Sequence, residues 1–156
     1  MFIDEEILCI KKVLRCNTEA YEYLVLEYQN LVYGLIFHLV KDQDTAEQIA
    51  IDVFVEAYKK LRPIKRKYVP SIFREAFNRA SQCVSEDIEN EDASIRISLY
   101  GAMCRLSDQD LRLLILRDCM HVPYDKLCAE HREDMCVTRK RVDLARQRVW
   151  LLMKKV

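Results

Sequence analysis

Residues 137–150 read VTRKRVDLARQRVW. Apolar side chains recur at Val142, Ala145 and Val149 and continue to Leu152, in steps of three and four that line one face of a helix. The positions between them are cationic. From Arg139 to Lys155, seven lysines and arginines stand against one acid, Asp143. The stretch predicts an amphipathic helix with one buried side and one basic side. That basic side either meets an anionic partner such as nucleic acid or is simply solvated.

The rest of the chain extends the helical reading. Two glycines and three prolines in 156 residues leave few breakers for hairpins, so the chain reads as all-α, with short connections between helices. A hydrophobic content of 51% suffices to bury one medium core or two small ones. The formal net charge is zero, so any attraction to a polyanion must come from local asymmetry. The basic helix has such a counterpart: residues 84–94, VSEDIENEDAS, hold five acids and no base. No apolar run approaches the roughly 18 residues a membrane span needs. The N-terminal MFIDEEILCIKK is acidic where a secretory signal would be basic. The expectation is a cytoplasmic protein without membrane insertion. Seven cysteines, an odd number at irregular spacing, read as reduced thiols serving as small core hydrophobes.

Along the chain, Ile3, Ile7, Ile10, Val13 and Leu14 predict a first helix, and a long second helix follows with Asn17 or Thr18 as its cap. A third runs through KDQDTAEQIAIDVFVEAYKKLRP, with Asp44 as its expected cap, Glu47 three residues on, and Pro63 as its stop. The connector IKRKYVP leads to SIFREAFNRASQCV, for which Ser71 is the expected cap. These four helices form residues 1–83. The acidic segment 84–94 reads as a short linker. Residues 95–156 hold short helices, one opened by a capping box of Ser107 and Asp110, and a tight connection into the basic helix. That order suggests a helix-turn-helix.

At this point the chain resembles a sigma factor of the extracytoplasmic-function group within the sigma-70 family. Residues from Leu8 to Leu61 are similar to the family's second region, in the aromatic at Tyr21, the YxxLVY pattern from Tyr28 to Tyr33, and the pairs Ala46–Glu47 and Val53–Phe54. SIFREAFNRA resembles the promoter-opening segment through Ala76, Asn78 and Ala80. RLSDQDLRLLILRDCMHVPYDKLCAEH resembles the fourth region through Arg117, Asp118, Tyr124 and Leu127. The chain departs from the family at Gln48 and Ile51, at Ser71 where a Trp is usual, and in the turn HREDMCVT. In that turn His131 replaces a core Leu and Arg132 replaces a Gly.

The resemblance implies a non-enzymatic transcription initiation factor whose partners are RNA polymerase core, promoter DNA and an anti-sigma factor. Asp44, Glu47, Gln48 and Asp52 would face polymerase. Lys65, Arg66, Lys67, Tyr68, Arg74, Asn78 and Arg79 would serve promoter melting, with Tyr68 as a stacking platform. Arg139, Lys140 and Arg141 would meet base edges in the upstream element, and Arg146 and Arg148 its phosphates.

Two rival readings remain open. The chain could keep the fold as a protein-interaction adaptor or decoy without promoter recognition. It could instead sense thiols or metal, because Cys119, His121, Cys128, His131 and Cys136 fall close together, with Cys128 and His131 on one helical face. Their spacing matches no standard zinc motif, so no metal and no cofactor are expected. There is no Gly-rich phosphate loop, no Gly-x-Ser-x-Gly elbow and no His-Glu-x-x-His pair, and no catalysis is expected.

Overall fold

The structure, a computed structural model, describes residues 2–64, 67–84 and 91–154. Among them every regular element is helical. The chain divides into two compact units, Met1–Glu89 and Asn90–Val156.

The first unit holds α1 (Ile3–Leu14), α2 (Glu19–Val40), α3 (Gln43–Lys59), the single turn α4 (Leu61–Ile64) and α5 (Tyr68–Cys83). Helix α2 is the central one, packed against α1, α3 and α5. It contributes Leu24, Tyr28, Val32 and Ile36 to a core completed by Ile10, Val53, Ile72 and Phe73. A set of tyrosines supplies hydrogen bonds inside. Tyr28 donates its hydroxyl to the buried Glu6 at 2.7 Å, Tyr68 donates to the Tyr21 oxygen at 3.2 Å, and Tyr21 donates to the Phe54 carbonyl at 2.5 Å. Glu6, a fully buried acid in the first helix, gave no sign of burial in the sequence.

Three expected helix ends are corrected. Asp42, two residues before the expected Asp44, caps α3 by accepting from the Thr45 N–H at 2.8 Å. Helix α3 stops at Lys59, ahead of Pro63, which lies within α4. Helix α5 starts at Tyr68, before the expected cap Ser71, whose own N–H bonds back to the Lys67 carbonyl. Pro70 is tolerated because first-turn N–H groups have no intrahelical partner to lose. Asn17 does serve α2, accepting from the Ala20 N–H at 3.3 Å.

The second unit holds α6 (Glu91–Cys104), α7 (Asp108–Leu114) continued by a π-helical turn (Ile115–Cys119), α8 (Tyr124–His131) and α9 (Met135–Met153). Residues 91–94, expected in the linker, instead form the first turn of α6, where Glu91 and Asp92 face the positive end of the helix dipole. Ser107 caps α7 by accepting from the Asp110 N–H at 3.2 Å. The core comes from Leu111, Leu113, Leu114, Ile115 and Leu116 of α7 and its extension, Leu127 of α8, and Val142, Ala145 and Val149 of α9. The apolar face read from residues 137–150 is therefore the buried one, extended by Thr138.

A buried ion pair pins α8 to α7: Arg112 reaches Glu130 at 2.8 Å, and both side chains are about 5% exposed or less. Residues 132–134 join α8 to α9. Arg132 adopts the left-handed conformation (φ 53°, ψ 39°), and the Glu133 N–H closes onto the Cys128 carbonyl at 3.1 Å. This is the geometry in which a helix usually ends on glycine. Asp134 then caps α9, accepting from the Val137 N–H at 2.9 Å.

Candidate functional site

The basic side of α9 is largely engaged within its own unit. Arg146 forms a two-pronged pair with Asp118, at 2.6 and 3.1 Å, and lies 3.4 Å from Asp143. Hydrogen bonding to Asp118 raises the Arg146 guanidinium still further above its usual range. Arg148 pairs with Asp110, and Arg141 reaches Glu133 at 2.8 Å. Arg146 and Arg148, expected to meet phosphates, each lie against a carboxylate of the π turn or α7 while remaining partly exposed. Arg139 is exposed and lies over the Tyr124 ring, 5.2 Å from its centroid, while Arg117 stacks on the same ring at 4.4 Å. Lys140 is exposed. Arg139, Lys140 and Arg141 fall in the second turn of α9. Its first turn presents Met135, Cys136 and Val137 to solvent.

In the first unit, Lys65 and Arg66 lie outside the described residues. Tyr68 is fully buried, its ring 6.0 Å from that of Tyr28, so it cannot be a stacking platform. Burial pushes its hydroxyl well above the ordinary tyrosine range. Arg79 reaches Glu75 at 2.6 Å and approaches Asp52 at 3.9 Å. A residue assigned to DNA and one assigned to polymerase thus meet each other. Lys67 and Asn78 are exposed. Arg74 and Asn78 line, with Ser71, Glu56 and Lys60, a pocket of about 230 Å³ between α3, α4 and α5. The Lys60–Glu56 ion pair at 2.9 Å belongs to the same pocket.

Asp44, Glu47 and Gln48 are exposed on α3, and Asp52 is half-buried, accepting from the Gln48 amide at 3.3 Å. Beside them the structure adds a feature that the sequence reading missed. Ile51, Val55 and Tyr58 of α3 are exposed at 57, 47 and 42%. With Tyr21, Val25 and Tyr33 of α2 they line a mainly apolar groove of about 860 Å³. Its sequence signal was present: α3 repeats apolar residues on two sides, Ile49–Val53–Ala57 and Ile51–Val55–Tyr58, and only the first is needed for the core.

The thiols do not serve the core as expected. Cys16, Cys83, Cys119 and Cys136 are exposed and Cys9, Cys104 and Cys128 are half-buried, all of them free. Among the described residues no three His, Cys, Asp or Glu side chains come together in a way that could hold a metal ion. His131 is half-buried, with its Nε2 enclosed and lacking a hydrogen-bond partner among the described residues. Burial, and then the neighbouring Arg141, lower its pKa below the ordinary value.

No family model matches the chain. A stretch of 52 residues, 33% of this chain, is 36% identical to the RNA polymerase sigma-H factor of Pseudomonas aeruginosa and spans 27% of that protein's length. Over that stretch the chain is similar to a sigma factor. No helix among the described residues is long and apolar enough to cross a membrane.

Proposed function

We propose that this chain is a sigma factor of the extracytoplasmic-function group that binds RNA polymerase core and directs initiation at promoters it selects. The observation that carries this reading is the order of its two units: a helical bundle with an exposed acidic and apolar α3, then a unit in which a tight turn leads into a basic helix. The partial likeness to a sigma factor supports it. The first unit is the polymerase-binding and promoter-melting domain. Polymerase docks along Asp44, Glu47 and Gln48 and the adjoining groove of Ile51, Val55 and Tyr58, whose exposed apolar area would supply the buried centre of such an interface. Single-stranded promoter DNA meets Lys67, Arg74 and Asn78 beside the small pocket between α3, α4 and α5. In the second unit α8, residues 132–134 and α9 are a helix-turn-helix that reads the upstream element.

The work is binding and positioning, with no catalysis by the chain itself, and its place is the cytoplasm, where polymerase acts. An anti-sigma factor covering the groove or the basic helix would hold the free protein inactive. The test is affinity for purified core polymerase. An Ile51→Glu, Val55→Glu double variant is expected to bind at least about tenfold more weakly, since it places two charges in the centre of the interface. Equal binding by the variant, with unchanged helicity, would remove α3 from the interface.

A further inference from the structure

The cations of α9 fall into two sets. Arg141, Arg146 and Arg148 end on Glu133, Asp118 and Asp110, which belong to the α8–α9 turn, the π turn and the start of α7. Each pair ties α9 to a different segment of its unit. Arg139 and Lys140 have no carboxylate partner among the described residues, and Arg139 lies against the face of Tyr124, the first residue of α8. The Tyr124 ring is itself steadied by Arg117, which donates to the Val122 carbonyl at 3.1 Å. The stack therefore fixes where one guanidinium points.

A paired arginine is a poor phosphate ligand. To take a phosphate it must leave its carboxylate, which then stands unpaired beside the incoming anion. On the reading that α9 meets DNA, we infer that Arg139 and Lys140 are the cations α9 gives to DNA. Tyr124 is a positioning residue for Arg139, and Arg141, Arg146 and Arg148 hold the unit together. The binding mode that follows is weakly electrostatic: two neutralised phosphates give a log–log salt slope of about −2, where five would give about −4.5.

The experiment titrates the full chain onto a fluorescent duplex selected from a random pool, over a range of salt concentrations, with melting temperature followed for every variant. The expected slope is about −2. Arg139→Ala and Lys140→Ala each reduce its magnitude by about one without changing the melting temperature. Arg146→Ala and Arg148→Ala lower the melting temperature and leave the slope unchanged. Asp118→Asn lowers the melting temperature but steepens the slope, because Arg146 is released to the phosphates. Tyr124→Leu weakens binding severalfold and reduces the magnitude of the slope by up to about one at an unchanged melting temperature, and Tyr124→Phe, which keeps the ring face, restores both. A slope near −4.5 overturns the division. So does a loss of slope in Arg146→Ala equal to that in Arg139→Ala at an unchanged melting temperature. A wild-type chain that binds no duplex even at low salt overturns the DNA role under Proposed function and this division with it, so the two failures are told apart.

Discussion

Arg132 sits where a helix end demands a left-handed backbone, and so do Cys16, Lys41 and His121. None of the four is glycine. Gly34 instead lies inside α2, with open space where a Cβ would stand. Both arrangements cost stability. Arg132→Gly is expected to raise the stability of the second unit by about 1 kcal/mol, and Gly34→Ala that of the first by a similar amount. Urea midpoints read from unit-specific probes check both. This misplacement also explains why helix ends were the least legible feature of the sequence: the residue that marks a C-terminus was spent in a helix interior. His131 carries a second consequence. Its pKa is lowered in the fold by burial and then by Arg141, with Glu130 and Glu133 opposing and Arg112 adding to the decrease. The folded state therefore binds its proton less readily than the unfolded chain. Stability contributed by neutral His131 is full above the ordinary value of 6.5 and is lost as pH falls from there through the lowered folded value. His131→Leu, which restores the apolar residue the resemblance implies, is expected to raise the melting temperature and to flatten its decline between about pH 7 and pH 5.

Helices differ in how much of their role the sequence exposes. The buried face of α9 was readable because Val142, Ala145 and Val149 keep helical spacing, whereas the use of its other face was not. Arginines that pair with distant carboxylates look the same in sequence as arginines that await DNA. In α3 the reverse holds, since Ile51, Val55 and Tyr58 read as surplus apolar residues until the fold leaves them outside. Arg112 lay in plain view between Leu111 and Leu113, and a charge in such a run points to a buried partner, but only the folded arrangement of α8 names it as Glu130. With both side chains buried, Glu130→Gln removes the carboxylate charge opposite Arg112 and is expected to cost on the order of 3 kcal/mol. The double variant Arg112→Met, Glu130→Leu should recover most of that loss. Thermal unfolding of the single and double variants checks this, and equal destabilisation by both would show that the pair acts through packing alone.

For the molecule as a whole, composition and pattern lead to an expectation of two helical units with the acidic stretch between them, and the structure holds two compact units, Met1–Glu89 and Asn90–Val156. The zero net charge of the whole chain divides unevenly: residues 90–156 hold 13 lysines and arginines against 10 acids, and some of those acids pair with the most basic helix. On the proposed function, a chain with zero overall charge gains little from long-range attraction to DNA, and polymerase would bring it to a promoter. Promoter recognition should accordingly be weak for the free chain and strong for the assembled enzyme. The most direct measurement is transcription by RNA polymerase core from a library of random promoters, with this protein or its Arg139→Ala, Lys140→Ala variant added. The account predicts that the wild-type chain enriches a defined set of promoters and that the variant loses that selection while still binding core. Polymerase binding without any enriched promoter would contradict it, and would leave a sigma-like protein that works through protein contacts alone.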